Sequence, residues 1–213
     1  MMIWPFTGPF ANDWIAPRMR SPIADLLADL GAAFAAVEVE WFLFGAQAAI
    51  VYGVARLTGD VDVTARVPAR LPNAALAEAL EQRGFRLRFD DPAFIEHSRV
   101  LPFVHEGTGL PVDVVLSGPG LEDEFFARVG RHLLDGVDVP VVDVSDLIVM
   151  KVLAGRPKDV EDVVTLLRVQ EASVELTRVR RTLQMLESAL AQSDLMPALD
   201  QALARARARS GGR

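Results

Sequence analysis

The sequence predicts a mixed α/β fold, with a central sheet flanked by helices and a helical carboxyl-terminal region after it. Up to about residue 142, segments with apolar residues at helical spacing alternate with short runs rich in valine and phenylalanine. Beyond that point only helical patterns follow. We therefore expect an amino-terminal arm over residues 1–20, an α/β domain over 21–142 and a helical region over 143–213.

Length and composition are those of a globular protein. The 213 residues are 51% hydrophobic, which is enough for a sizeable core and argues against disorder. The absence of cysteine excludes a disulfide, a thiolate metal site and a thiol nucleophile. No apolar run reaches the roughly 18–20 residues of a membrane span. We expect a cytoplasmic protein without a membrane partner.

The charge is acidic overall but unevenly distributed. The formal net charge of −7 argues against a broad nucleic-acid-binding surface. The basic tail, ARARARSGGR, is more typical of a solubilised helix end than of an RNA-binding segment. The opening, MMIWPFTGPFANDWIAP, is apolar but lacks the early basic residues of a signal peptide. It predicts an arm that packs on the body or on a partner, with tag or misassigned-start residues as the alternative.

The first part of the chain predicts two helix–strand pairs. Ser21 before a proline is typical of a helix start, and apolar spacing extends this helix over residues 22–37. Residues 39–44 predict a strand that ends at a glycine. An alanine-rich helix over 46–53 and a second strand over 58–65 follow.

The middle of the chain predicts a helix and three strands. The helix covers residues 72–83 and ends at a glycine. The strands cover 85–89, 99–105 and 110–116, and the Gly107-Thr-Gly109 turn makes the last two a hairpin.

The last part predicts helices around one further hairpin. Asp135-Gly136, flanked by apolar residues, is a hairpin turn signal. Ser145 is expected to cap the helix that follows it. The predicted helices cover 121–129, 146–154, 157–168 and, divided by Pro197, the chain from Glu175 onward.

The stretch GVARLTGDVDV places two carboxylates in an apolar strand. Side chains two apart on a strand share a face, so Asp60 and Asp62 point one way while Val61 and Val63 point to a core. That alternation is typical of a half-buried strand, and it also suits half of a metal site.

Two more features favour the metal site. Gly45 lies where a strand gives way to a helix, and backbone N–H groups at a helix N-terminus form a seat for phosphate. Asp113 lies within the apolar run PVDVVL, where an unpaired carboxylate is costly and needs a cation or donors. Asp60, Asp62 and Asp113 on adjacent strands predict a site for two Mg²⁺ ions and phosphoryl-type transfer.

The stretch GAQAAIVYGVARLTGDVDV resembles the signature of nucleotidyltransferases of the DNA polymerase beta superfamily, a glycine turn followed by a strand with Asp-x-Asp. Its intervening residues, and the later segment DLIVMKVLAGRPKDVEDVVTL, are similar to AbiEii-type toxin-like nucleotidyltransferases. The resemblance covers about residues 40–167. It implies the nucleotidyltransferase fold and a nucleoside triphosphate as substrate.

The resemblance also implies roles for the acidic residues and the turn. Asp60 and Asp62 would bind both Mg²⁺ ions. Asp113 would ligate one of them and deprotonate the acceptor hydroxyl. Gly45 and the N–H of Ala46 would hold the β- or γ-phosphate.

A further group of residues is implied to serve the nucleotide. Lys151 and Arg156 would approach the phosphates or the acceptor. Arg56 and Thr58 belong to the same signature, and the alternative for Arg56 is an ion pair with one of the two strand aspartates that braces the turn. Lys158, together with Asp159 and Asp162, would orient the helices or the substrate. The four-residue spacing of Lys158 and Asp162 allows an ion pair along one helix face. With these residues the predicted site is complete.

The implied activity is Mg²⁺-dependent transfer of a nucleoside monophosphate, ATP being one candidate donor, to a hydroxyl group. The acceptor stays open between an RNA or tRNA end, a protein and a small molecule, and the toxin-like resemblance adds an antitoxin as a candidate partner. Ala46 stands where the family usually has glycine or serine. The alternative is therefore a degenerate, non-catalytic protein that binds nucleotide or a protein partner.

Overall fold

The computed structural model describes residues 20–89 and 91–210, and within them a seven-stranded mixed sheet lies between helices. The arm predicted over residues 1–20 and the last residues of the basic tail lie outside the described residues, apart from Arg20 and the tail's start. The strands run in the spatial order β3-β4-β5-β2-β1-β7-β6. Their bounds are β1 Glu40–Phe44, β2 Val61–Arg66, β3 Phe85–Leu87, β4 Val100–His105, β5 Leu110–Leu116, β6 Gly130–Leu134 and β7 Val137–Val141.

Strand pairing combines hairpins with parallel crossovers. β2 lies antiparallel to β1 and parallel to β5, and β1 lies parallel to β7. β4–β5 and β6–β7 are the two hairpins expected from their turn residues. The mixed α/β prediction is confirmed, and the two strands that carry the aspartates are neighbours near the middle of the sheet.

Helices cover the sheet and form the carboxyl-terminal region. The first begins as predicted, because the Ser21 hydroxyl accepts a hydrogen bond from the Ala24 N–H. The helices are α1 Pro22–Ala36, α2 Gly45–Val51, α3 Asn73–Glu81, α4 Pro92–Ser98, α5 Leu121–Phe126, α6 Val144–Ala154, α7 Pro157–Val169, α8 Leu176–Leu190 and α9 Leu195–Ser210. None of the helices in the described ranges is long and apolar enough to cross a membrane.

Three local expectations were wrong. Helix α4 was not expected, since seven residues with a polar composition carry too little periodicity. Asp143 caps α6 by accepting from the Ser145 N–H, and the Ser145 hydroxyl instead accepts from the Glu175 N–H. The division of the last helical segment lies at Ala191, which adopts a left-handed conformation, and Pro197 sits inside the first turn of α9 where proline is tolerated.

Apolar residues of the sheet and of the surrounding helices form one continuous core. Phe34, Phe42, Phe85 and Phe103 are its largest fully buried side chains. Helix α6 packs against α2 beside the sheet and against α7, α8 and α9 of the carboxyl-terminal region. The segment just before β2, the start of α2 and the α6–α7 junction consequently lie around one cleft.

Candidate active site

The strand register places two of the predicted aspartates side by side. Asp62 of β2 and Asp113 of β5 are Cα partners on parallel strands. Residues at the same register position of neighbouring strands share a face and lie about 4.8 Å apart along the hydrogen-bonding direction. Their side chains therefore stand next to each other on the same face of the sheet.

Asp60 joins this pair from just outside the strand. β2 begins at Val61, so Asp60 is an exposed residue at the strand entrance, and its N–H is bound by the Thr58 hydroxyl at 3.3 Å. Burial raises the pKa of Asp62, and the charges of Asp113 and Asp60 raise it further. Burial likewise raises the pKa of Asp113. Arg88 opposes this rise, and the charge of Asp60 adds to it. The three carboxylates thus act electrostatically as one cluster.

Gly45 is fixed by its closeness to Asp62. It has a φ of +68°, and a Cβ atom at this position would lie 2.1 Å from Asp62 Oδ2. Only glycine combines this backbone conformation with such an approach. The glycine turn and the acidic strand are in direct contact, as the resemblance implies.

The first turn of α2 faces the same cleft. No side chain caps it. Ala46 keeps a backbone N–H as a donor at the position where serine would add a hydroxyl. The roles of Gly45, Ala46 and Thr58 toward a phosphate stay predictions.

A cavity of about 490 Å³ lies beside Asp62. Gly45 and Asp62 form part of one wall, and Lys151, Arg156 and Asp159 bring charged groups from the α6–α7 junction. The rest of the wall is mostly apolar and comes from the end of β1, the α5 segment and α6: Phe44, Pro119, Leu121, Phe125, Leu147, Met150 and Leu153. A cavity with an apolar wall next to an acidic cluster can hold an organic group while its charged part meets the aspartates.

The basic residues behind the cleft are joined in a line of ion pairs. Arg56 binds Asp162 at 2.6 Å, and Lys151 binds Asp162 at 2.7 Å and Asp159 at 3.2 Å. Arg156 Nε binds Asp159 at 2.5 Å. Arg56 therefore pairs with an acid on α7 and not with Asp60 or Asp62.

Two expectations for the α6–α7 segment change. Lys158 is exposed and forms no ion pair within the described part of the chain, so the expected pair with Asp162 is wrong, because Asp162 turns inward to Arg56 and Lys151. The Lys151 ammonium is buried between two carboxylates. Its role toward phosphates, like that of Arg156 and Lys158, stays a prediction.

Arg88 is a further residue of the site that the sequence does not reveal. It follows β3, its N–H donates to the Pro102 carbonyl at 2.8 Å, and Pro102 is the register partner of Asp113. Its guanidinium hydrogen-bonds the Asp113 carboxylate. No local motif marks this arginine, because only the pairing of β3, β4 and β5 brings it to the site.

Carboxylate oxygens are the donors that Mg²⁺ prefers. Asp60, Asp62 and Asp113 supply such donors, and the raised pKa of Asp62 shows a negative charge that its surroundings do not fully compensate. Across residues 20–89 and 91–210, no group of three acidic or histidine side chains has the arrangement of a formed metal site. The donor chemistry fits a divalent cation, and Arg88 holds one of the oxygens it would need.

Comparison with known proteins decides the family. The family described as nucleotidyltransferase of unknown function (DUF6036) matches residues 32–194. The chain belongs to this family. The match spans the glycine turn, all three aspartates and the α6–α7 segment of this nucleotidyltransferase, and the expectation of a nucleotidyltransferase is confirmed.

Solved structures agree on the fold. The antibiotic-resistance factor ANT(2'')-Ia in solution matches with a TM-score of 0.57 and 15% identity over 81% of this chain and 97% of that chain. A crystal structure of ANT(2'')-Ia with adenylyl-2''-tobramycin gives 0.55 and 15% over 80% and 99%. An antigenic nucleotidyltransferase-like protein from Paracoccidioides brasiliensis gives 0.50 and 14% over 85% and 94%.

At these identities the likeness establishes the nucleotidyltransferase fold, which confirms the predicted fold class. No curated protein matches the chain. The family assignment makes the protein a transferase of nucleotidyl groups.

Proposed function

We propose that this nucleotidyltransferase acts in the cytoplasm and moves a nucleoside monophosphate from a nucleoside triphosphate to a hydroxyl group at Asp60, Asp62 and Asp113. The observation that carries the proposal is the register pairing of Asp62 with Asp113 against the backbone of Gly45. Gly45 and Asp62 line a cavity large enough for part of a nucleotide, and Asp113 is the register partner of Asp62.

The three aspartates have two roles, metal binding and proton transfer. Two Mg²⁺ ions held by the three carboxylates would neutralise charge on the phosphates and lower the pKa of the acceptor hydroxyl. Asp113 accepts the hydroxyl proton, and burial, which raises its pKa, makes it a better base than an exposed aspartate. The acceptor oxygen bonds to the α-phosphorus, the bond from that phosphorus to the β-phosphate oxygen breaks, and pyrophosphate leaves.

The donor is held by backbone and cationic groups. The uncapped N–H groups at Gly45 and Ala46 support binding of a β- or γ-phosphate. Arg156 lines the same cavity with 59% of its side chain exposed, so its guanidinium is accessible to a phosphate. Thr58 serves the site by holding the Asp60 backbone.

Three acceptor classes suit this chemistry: an RNA or tRNA end, a protein hydroxyl and a small molecule. The fold neighbour whose structure contains adenylyl-2''-tobramycin supports the small-molecule class. The likeness of GAQAAIVYGVARLTGDVDV to AbiEii-type proteins supports the toxin class, with RNA as acceptor and an antitoxin as partner.

The test is transfer of label from each of the four α-³²P nucleoside triphosphates, with Mg²⁺, into a cell extract separated into RNA, protein and small molecules. Label in one fraction identifies the acceptor class. Asp62→Asn is the control, because an amide lacks the charge that a divalent cation requires. Label that is equal with the parent and with Asp62→Asn would refute enzymatic transfer at this site.

A non-catalytic nucleotide-binding protein is the second candidate. Ala46 in the turn and the Arg88 guanidinium on Asp113 favour it, since both reduce what the site offers to a metal-bound triphosphate. This candidate predicts that calorimetry detects nucleotide binding with and without Mg²⁺, that no fraction gains label, and that Ala46→Ser restores none.

A further inference from the structure

Five charged side chains form a continuous line through the α6–α7 junction. Their charges alternate, each is bound to the next, and we call the line the charge chain: Arg56, Asp162, Lys151, Asp159 and Arg156. It joins three separate parts of the molecule. Arg56 belongs to the loop between α2 and β2, Lys151 to α6, and both aspartates to α7.

The middle of the charge chain is almost inaccessible to solvent. Lys151 and Asp159 side chains are 4% and 1% exposed, and the Lys151 ammonium is shared between two carboxylates. Burying ions costs several kcal/mol each, and the attraction between them seldom yields a net gain over apolar packing. A buried lysine that is already paired twice has little affinity left for a phosphate.

One end of the charge chain, Arg156, lines the cavity beside Asp62, and the other end, Arg56, lies in the loop that leads to Asp60. Asp159 binds the Nε of Arg156, and neither terminal nitrogen of that guanidinium is hydrogen-bonded by another of the described residues. The other end, Arg56, lies four residues before Asp60 in the same loop. The charge chain therefore connects Arg156, which lines the cavity, with the loop that leads to Asp60.

We propose that Lys151, Asp159 and Asp162 are positioning residues that aim Arg156 at the triphosphate and hold the loop that carries Asp60. The proposal deepens the proposed function and rests on it. It assigns Lys151 to the support of Arg156 and Arg56, in place of the phosphate contact that the family resemblance implies. Arg156 is the member of the charge chain that touches the nucleotide.

The experiment is a double-mutant cycle on nucleotide affinity. ATP, and then each of the other three triphosphates, is titrated by calorimetry with Mg²⁺ into the parent, Arg156→Gln, Asp159→Asn and the double variant. We expect Arg156→Gln to weaken affinity about tenfold, since hydrogen bonds to charged groups are worth about 1.5–3 kcal/mol. Asp159→Asn should weaken it about threefold or more although Asp159 does not touch the ligand.

The coupling between the two substitutions distinguishes a positioning role of Asp159 from general damage to the fold. In the Arg156→Gln background, Asp159→Asn should change affinity less than twofold, because the group it aims is gone. Glu161→Gln is the matched control: it removes the same charge from the same helix at an exposed pair with Arg205. Its affinity should equal that of the parent. Melting curves of every variant check that it folds.

A substitution at the Arg56 end of the charge chain should have a different kinetic effect. If transfer occurs, Arg56→Gln should lower kcat and leave the KM for nucleotide within about twofold, because it loosens the loop of Asp60 and leaves Arg156 in place. Should Asp159→Asn not fold, Arg156→Lys replaces it. A lysine keeps the charge but not the fork that binds Asp159 and a phosphate together, so affinity should fall about threefold or more.

The outcomes separate two failures. A parent that binds none of the four triphosphates refutes the proposed function, and the positioning role with it. A parent that binds one of them, while Arg156→Gln binds it equally or Asp159→Asn weakens both backgrounds alike, overturns the positioning role alone.

Discussion

Gly45 and Asp62 constrain each other at the level of single atoms. An alanine at position 45 must adopt a left-handed conformation and must displace the Asp62 carboxylate that lies 2.1 Å from its Cβ. We expect Gly45→Ala to lower the free energy of unfolding by at least about 1–2 kcal/mol from the backbone term alone. Urea unfolding measures it.

Gly59→Ala in the neighbouring loop is the matched control, because nothing lies within 4 Å of its Cβ and its φ is not in the left-handed region. If the two variants were equally stable, the closeness of Gly45 to Asp62 would not be a constraint on the fold.

The Asp62 charge costs stability in the folded protein. Burial, Asp113 and Asp60 raise its folded pKa above the ordinary 3.8. The folded state therefore binds its proton more tightly than the unfolded chain, and the penalty is fully present at neutral pH and disappears as pH falls through the raised pKa. Asp62→Asn should melt a few degrees higher at pH 7.5, since 1 kcal/mol corresponds to about 2–4 °C in a chain of this size.

The same reasoning gives the pH profile and its control. The advantage of Asp62→Asn over the parent should shrink between pH 7.5 and pH 4, followed by paired melting curves. Asp60→Asn, at an exposed carboxylate, should change the melting temperature less. A lower melting temperature for Asp62→Asn at pH 7.5 would contradict an electrostatic penalty at this position.

At the scale of elements, the pairing of β3, β4 and β5 places Arg88 at the acidic cluster. Its guanidinium hydrogen-bonds Asp113, so a divalent cation must compete with it for that carboxylate. Arg88→Gln should bind Mn²⁺ about three- to tenfold more tightly than the parent in a calorimetric or electron-paramagnetic titration. Arg86→Gln, which removes a charge from β3, two residues before Arg88, at an exposed pair with Glu106, should leave the affinity unchanged. Equal Mn²⁺ affinities for Arg88→Gln and the parent would rule out the competition.

Local sequence patterns predict most of the helices and strands but few of the contacts between side chains that are distant in sequence. Ser21 before Pro22 and the Asp135-Gly136 turn act within a few residues, so the sequence alone predicts the helix and the hairpin they start. Strand alternation predicts a shared face for Asp60 and Asp62, but β2 begins at Val61, so this geometry does not extend to Asp60. The contact of Arg56 with Asp162 spans 106 residues of sequence, and no periodicity encodes it.

The α6–α7 junction shows why side-chain roles were harder to predict than elements. The spacing of Lys158 and Asp162 fits a pair on one helix face, and it is wrong because α7 turns Asp162 toward α6. Which face of α7 is buried depends on how α6 and α9 pack against it. That packing is a property of the assembled fold, which one helix sequence does not contain.

At the scale of the whole molecule, one buried carboxylate ties the sheet to the carboxyl-terminal helices. Asp146 of α6 is inaccessible to solvent and receives two hydrogen bonds from Arg128, just after α5, and one from Arg178 of α8. Burial still raises the pKa of Asp146 despite both arginines, so the ion pairs offset the cost of burying its charge only in part.

Asp146→Ala should lower the free energy of unfolding by about 3 kcal/mol, because removing one partner of a buried ion pair leaves its desolvated partners less well compensated. Arg178 keeps Asp143 and Glu175, and Arg128 keeps Glu124, which places the loss at the lower end of the usual range of about 3–5 kcal/mol. Asp138→Ala breaks an exposed, solvent-screened pair with Arg131 and should cost much less than Asp146→Ala. Urea unfolding of both variants measures the difference. Equal losses in the free energy of unfolding would mean that Asp146 does not join the sheet to the carboxyl-terminal helices. Apolar packing alone would then maintain the cleft lined by α5 and α6.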